Sequence, residues 1–249
     1  MSGHSKWATI KRKKAATDQA RGKVFSKYIK EITIAARHGG GDLESNPRLR
    51  TAVSAAKSVN MPANNIERAI KRGTGEIEGV HYEETQYEGY APGGVALLVE
   101  VATDNRNRTA GDIRHILTKY GGAMGEAGSV SYLFKSRGLI VIEKSAIAEE
   151  ALMEAALDAG ADDVNSEGEA FEVLTPPAQF EAVKEALAAK AIPVQSGELT
   201  KLSSIQVPLS EREAEAVLRL VDALEDHDDV QKVYANFNVP DEVLARLSK

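Results

Sequence analysis

The chain of 249 residues carries 31 basic and 37 acidic side chains, and its formal net charge is −6. A hydrophobic share of 43% is enough for packed cores, while the absence of cysteine excludes disulfides, thiolate metal sites and a cysteine nucleophile. No apolar run approaches the ~20 residues that a membrane-spanning helix needs, and the start lacks the apolar core of a signal peptide, so we expect a cytoplasmic protein.

Charge is distributed very unevenly along the chain. Residues 1–75 hold 16 Lys or Arg against 5 Asp or Glu, a net charge of +11, whereas residues 76–249 have a net charge of −17. A basic module of this kind is typical of proteins that bind polyanions, and the usual polyanion is nucleic acid.

The basic module is predicted to be a basic arm, residues 4–23, followed by three short helices. In the first helix, over residues 24–38, apolar residues recur at helical spacing on one side, and glycines at 39–41 end it. Asn46-Pro47 is a typical start for the second helix, and Gly73 ends the third. On the first helix, four cations lie opposite the apolar face: Lys23, Lys27, Lys30 and Arg37.

Two sets of cations are therefore candidates for binding phosphates. In the arm, Lys6, Lys11, Arg12, Lys13 and Lys14 surround Trp7, which could stack on a base or instead fix the arm to the helices. The four cations of the first helix form the second set, and the alternative for them is an ordinary solvated helix face. Such faces usually mix both signs of charge, which favours binding here.

Beyond a glycine hinge at 73–75, strands and helices alternate. Strands are predicted near 82–103, a helix at 106–120 and a strand at 129–134. From 138 to 199 the order βαββαβ is that of a ferredoxin-like unit. A second copy of this order surrounds the unit. Its first half comes before residue 138, and its second half is a strand at 203–207, a helix at 210–224 and a strand at 230–237. The sequence therefore predicts that the ferredoxin-like unit 138–199 is inserted into this second copy.

The sequence thus predicts an α+β protein: an N-terminal three-helix module followed by two ferredoxin-like βαββαβ domains, the third domain inserted into the second. The predicted domains are 1–75, which binds nucleic acid, 76–136 with 201–249, and 137–200 as the insertion. Arg106 and Arg108, at the start of a helix, are secondary contact candidates in an otherwise acidic body. Acidic runs at 158–169 and 225–229 are interpreted as solvated loop acids rather than a metal site or a docking face for a basic protein, because neither has the spacing of a Ca²⁺ loop.

Signals for catalysis are poor. The chain has no phosphate-binding Gly-x-x-x-x-Gly-Lys-Ser/Thr loop and no Gly-x-Ser-x-Gly elbow. The glycine-rich stretch 121–128 follows a helix and precedes a strand, the wrong order for receiving a pyrophosphate at a helix N-terminus. We therefore expect no enzyme activity, no catalytic residues, no metal site and no cofactor.

Several segments together resemble the YebC/PmpR family, and the resemblance spans essentially the whole chain. It implies a three-domain α/β protein of the bacterial cytoplasm, with mitochondrial relatives that activate translation. Bacterial members are described as probable transcriptional regulators that bind DNA, and relatives are linked to translation of proline-rich stretches. The matching segments are Gly3–Trp7, Arg21–Phe25, Ala35–Asp42, Asn46–Arg50, Asn60–Ile70, Tyr87–Tyr90, Thr103–Asn105, Gly128–Val130 and Val233–Asn236.

The resemblance places nucleic-acid contact in the arm and the first helix and adds Arg21 to the candidates. At positions 11–14 this chain has Lys-Arg-Lys-Lys where family members commonly have a His, and this departure keeps the positive charge. The resulting candidates are Lys6, Trp7, Lys11, Arg12, Lys13, Lys14, Arg21, Lys23, Lys27, Lys30 and Arg37.

Three functional hypotheses follow. The leading one is a DNA-binding transcriptional regulator, although the link from 39 to 46 is longer than the tight turn of a helix-turn-helix. The second is a translation factor that binds ribosomal or messenger RNA, with the ribosome as partner. The third is a scaffold whose acidic face docks a basic protein surface. No membrane partner is expected.

Overall fold

The computed structural model describes residues 18–166, 168 and 170–240, together with 243 and 246, and the side chains from residue 22 onward. Its N-terminal part contains helices α1 (Asp18–Gly39), α2 (Pro47–Ser58) and α3 (Ala63–Thr74). The Asn46 side chain caps α2 by accepting a hydrogen bond from the N–H of Leu49, and Pro47 occupies the first turn, as the sequence predicts. The three helices share a core that includes Ile32, Leu49 and Ile66, so the predicted three-helix module is confirmed. The predicted limit of the arm at residue 23 is wrong, because α1 already begins at Asp18.

The remaining described elements form three sheets, two of four strands and one of two. In chain order they are β1 (Glu83–Ala91), β2 (Val95–Thr103), α4 (Arg106–Lys119), β3 (Ala123–Met124), β4 (Phe134–Glu143), α5 (Glu149–Asp158), β5 (Asp163–Asn165), β6 (Ala170–Thr175), α6 (Phe180–Ala189), β7 (Ser196–Ser203), β8 (Val207–Pro208), α7 (Glu211–Glu225), β9 (Val230–Ala235) and β10 (Phe237–Asn238).

The first sheet has the antiparallel order β3-β1-β2-β9. One face of β2 contributes Leu97, Val99 and Val101 to a core shared with α4 and α7. Its other face contributes Ala96 and Leu98 to a second, smaller cluster. Because β2 is covered on both faces, its sequence is almost continuously apolar, as predicted.

The second sheet has the antiparallel order β5-β6-β4-β7 and is covered by α5 and α6. Numbered within this unit, its strands run 2-3-1-4, which is the ferredoxin-like arrangement predicted from the βαββαβ order. In the chain this unit lies between β3 and β8, so it is inserted into the domain that contains the first sheet. Its strands β4 and β7 each extend three residues beyond the predicted limits 137–200. The domain boundaries themselves stay a prediction.

The first sheet differs in detail from the predicted second ferredoxin-like copy. Residues 131–133 form a 3₁₀ turn instead of a strand, and Phe134 already begins β4. Residue 203 ends β7 in the second sheet, and β8 is a two-residue strand that pairs with β10. The physical reason is the hairpin: β1 pairs with β2 along all nine residues and so occupies the edge that the 203–207 strand would need.

The helices that the structure describes include none with the length and apolar character to cross a membrane.

Candidate nucleic-acid interface

The arm candidates Lys6, Trp7, Lys11, Arg12, Lys13 and Lys14 lie outside the described residues, as does the side chain of Arg21. The structure therefore tests the cations of α1 and α4 only.

The cationic side of α1 faces the last residue of α7 and the loop after it, which together we call the acidic loop (Glu225–Asp229). The Lys23 ammonium is 3.2 Å from the Asp226 carboxylate, and Lys27 donates to the Glu225 carbonyl at 2.6 Å. Lys30 donates to Oδ1 of Asp229 at 2.7 Å and to the Asp228 carbonyl at 2.9 Å. This side of α1 is therefore a docking face between the helical module and the first sheet.

The prediction of a solvent-facing cationic stripe is wrong for Lys30, which is only 9% exposed. Lys23 and Lys27 are half-buried. Arg37 donates to the Val80 carbonyl at 3.4 Å, in the segment that follows α3. The reason is that the fold brings a run of acids almost 200 residues away onto the helix, and opposite charges attract most strongly where water is excluded.

Asp229 is the centre of this contact. Besides Lys30, its carboxylate accepts hydrogen bonds from Thr103 at 3.0 Å, Thr109 at 2.8 Å and Arg108 at 3.1 Å. Burial alone would raise the pKa of this carboxyl group, but the hydrogen bonds from Lys30, Thr109 and Arg108 outweigh it and hold the pKa well below its usual range. The interpretation of residues 225–229 as solvated loop acids is wrong for Asp229, which is 6% exposed.

The two secondary candidates differ. Arg108 is half exposed and bridges Asp104 and Asp229, so its guanidinium already has two carboxylate partners. Arg106 is exposed, and its closest described side-chain contact is a long one of 3.5 Å to the Thr85 hydroxyl. Arg106 is thus the more accessible of the pair.

A second polar contact joins the same two parts of the molecule. Arg48 forms hydrogen bonds with both Glu31 and Glu84, at 2.8 and 2.6 Å for the shortest contact to each. The hydrogen bonds that Arg48 donates to Glu84, and then those to Glu31, raise the pKa of the guanidinium further above its already high value. The sequence did not identify this bridge, because Glu31 and Glu84 are far apart in the chain and neither lies in a distinctive sequence pattern.

Three other cations of the helical module are exposed: Lys57 on α2 and Arg68 and Lys71 on α3. None has a side-chain hydrogen bond or ion pair within the part of the chain that the structure describes. The sequence pattern does not single them out, since they do not form a stripe on one helix. They are the cations of the described module that are free to meet a phosphate.

Comparison with known proteins identifies relatives along the whole chain. Residues 5–76 match the TACO1/YebC protein N-terminal domain, and residues 82–237 match the TACO1/YebC second and third domain. A probable transcriptional regulatory protein of Geobacter sulfurreducens is 58% identical over 247 residues, 99% of this chain and 100% of that protein. One of Desulforapulum autotrophicum is 57% identical over 98% of both chains.

A solved structure has the same fold. The crystal structure of a conserved hypothetical protein from Aquifex aeolicus superposes with a TM-score of 0.81 at 49% sequence identity, covering 91% of this chain and 94% of that one. With both family domains matched and more than half of the residues shared with full-length relatives, the chain belongs to the TACO1/YebC family.

Proposed function

We propose that the protein is a cytoplasmic nucleic-acid-binding regulator of gene expression, and that its target is DNA in a transcriptional role. The names of the relatives support a regulatory role, and no catalytic step is part of the proposal. The nucleic acid contacts the arm and the exposed cations of α2 and α3, whereas Lys30 has a structural role.

The observation that carries the proposal is the positive charge left after α1 has docked. The acidic loop neutralises Lys23 and Lys30, yet Lys57, Arg68 and Lys71 remain exposed, and five further cations precede α1 in the arm. Such a concentration of cations releases counterions when it meets a phosphate backbone, which favours binding.

The acidic body restricts how a polyanion approaches. Residues 76–249 have a net charge of −17, so as a whole they repel phosphates and favour contact through the helical module. The proposed interface is therefore one-sided.

The test is fluorescence anisotropy with a labelled DNA duplex at several salt concentrations. About six to eight phosphate contacts give a slope of roughly −5 to −7 in a plot of log affinity against log salt. Changing Lys11–Lys14 to Ala, or Lys57, Arg68 and Lys71 to Ala, should weaken binding and make the slope shallower by roughly 3.

The matched control is a Lys190→Ala/Arg212→Ala variant, which removes two exposed cations of the acidic body. It should bind as the unaltered protein does. A slope near zero for the unaltered protein would refute nucleic-acid binding and favour a scaffold. Crosslinking in cells with sequencing of the bound nucleic acid separates DNA from ribosomal or messenger RNA as the target.

A further inference from the structure

The glycine-rich stretch has no role in the proposed interface, but the structure gives it an unusual form. Together with the 3₁₀ turn it makes a segment, Gly121–Leu133, that connects α4 to β4, and we call it the glycine-rich loop. It runs beside β1, with which Ala123 and Met124 pair as the edge strand β3.

A buried carboxylate on β1 holds this loop through hydrogen bonds to the loop backbone. Glu88, on β1, is 4% exposed and accepts hydrogen bonds from the N–H groups of Gly128 at 2.7 Å, Val130 at 2.6 Å and Ser131 at 2.8 Å. Burial favours the neutral acid, yet these backbone donors outweigh it and lower the pKa of Glu88, so the carboxylate is ionised.

The path of the loop backbone requires glycine at two positions. A Cβ atom at Gly125 would lie 2.5 Å from the Ser129 hydroxyl oxygen, and Gly128 has a φ of +87°, which L side chains rarely adopt. The Tyr90 hydroxyl adds a long hydrogen bond of 3.4 Å to the Ser129 carbonyl. The three hydrogen bonds to Glu88 and the pairing of Ala123 and Met124 with β1 hold the loop against the sheet as a fixed support.

Tyr132 projects from this support into solvent. Its neighbours Val130 and Phe134 are buried, at 0% and 8% exposed, while Tyr132 is 73% exposed, more than any other large hydrophobic side chain in the described residues. Its hydroxyl has no hydrogen-bond partner within those residues. A rigid loop that holds an aromatic ring outward is a preorganised binding element, because little freedom is lost when a ligand covers the ring.

The chain segment that contains Tyr132 is less acidic than the rest of the body. Residues 119–135 contain two exposed cations, Lys119 and Lys135, and one acid, Glu126, whereas residues 76–249 as a whole are strongly acidic. Aromatic rings interleaved with cations suit single-stranded nucleic acids, whose bases stack on the rings while their phosphates meet the cations.

We propose that Tyr132 stacks on an unpaired base of a single-stranded nucleic acid, and that Lys119 and Lys135 contact the adjoining phosphates. This inference rests on the proposed function and extends it by naming a single-stranded ligand at a second site. In a duplex both faces of each internal base are already stacked, so the ring of Tyr132 has no base face to cover.

The test compares Tyr132→Ala and Tyr132→Phe in anisotropy titrations with labelled 12-nucleotide single strands of RNA and DNA and with the matched duplexes. Tyr132→Ala should weaken single-strand binding about 5- to 150-fold, as loss of one stacked base does. Tyr132→Phe should retain the affinity, and duplex binding should change less than twofold. Leu157→Ala, which removes another exposed apolar side chain, is the matched control and should change nothing.

Each result decides between named alternatives. If Tyr132→Ala binds single strands as tightly as the unaltered protein does, the stacking site is wrong while the proposed function stands. If the variant loses single-strand and duplex affinity equally, specificity for unpaired bases is wrong. If the unaltered protein binds no nucleic acid at all, both this inference and the proposed function fail.

Discussion

Asp229 and Glu88 are buried carboxylates on the same part of the molecule, and the structure stabilises their negative charges in different ways. Asp229 is held by cations and hydroxyls, of which Lys30 comes from the helical module. Glu88 is held by three backbone N–H groups of the neighbouring glycine-rich loop. Both have a lowered pKa, so both are ionised in spite of their burial.

The difference teaches what each contact is able to do. A carboxylate held by side chains from another part of the chain joins those parts and depends on its cationic partners being present. A carboxylate that accepts hydrogen bonds from nearby backbone N–H groups fixes the shape of one loop and needs no cationic partner from another part of the chain. Asp229 thus positions the helical module, whereas Glu88 positions Tyr132.

The largest expected effect comes from breaking the first contact. Asp229→Asn should lower the free energy of unfolding by about 3–5 kcal/mol, because Lys30 is left buried with its charge uncompensated. Urea denaturation measures the loss, and amide hydrogen exchange should show faster opening of α1. Asp228→Asn is the control, since that residue is exposed and only its carbonyl contacts Lys30. A loss below about 1 kcal/mol for Asp229→Asn would contradict this role.

A smaller loss is expected from the second contact. Glu88→Gln should cost about 2–3 kcal/mol, because the amide nitrogen of Gln is a donor and faces at least one backbone N–H that then lacks an acceptor. Amide exchange should become faster at Gly128, Val130 and Ser131 while α1 stays protected. Equal exchange at these three positions in both proteins would rule out the anchoring role.

The pH dependence is the control for this variant. The pKa of Glu88 is lowered from the ordinary value of 4.5, so its contribution is complete above that pH and is lost as pH falls through the folded-state pKa. The difference in stability between the unaltered protein and Glu88→Gln should therefore shrink in acid.

The smallest effect is expected at the exposed end of the docking face. The Lys23 and Asp226 side chains are 39% and 71% exposed, so Asp226→Asn should change the free energy of unfolding by less than about 1 kcal/mol. Urea denaturation at low and at high salt checks this, because screening should remove even that difference. A large effect that persists in high salt would show that the acidic loop acts as one unit rather than through Asp229.

Local patterns determined much of the fold in advance. The apolar spacing in α1, the Asn46-Pro47 start of α2 and the βαββαβ order from 138 to 199 each depend on neighbours within a few residues, and the structure has all three. The charge asymmetry follows from the order of residues along the chain, and the lack of cysteine chemistry follows from the composition.

Tertiary structure alone decided which of these charges remain available. Lys30 and Asp229 are 199 residues apart, and the local sequence around either residue does not predict that the two will pair. The first sheet shows the same limit, since the hairpin partner β1 took the edge of β2 that the sequence pattern assigned to residues 203–207. Periodicity reports which side of an element is apolar, but a pairing between distant segments depends on which alternative buries more surface and leaves fewer charges unpaired, and that is settled only when the whole chain folds.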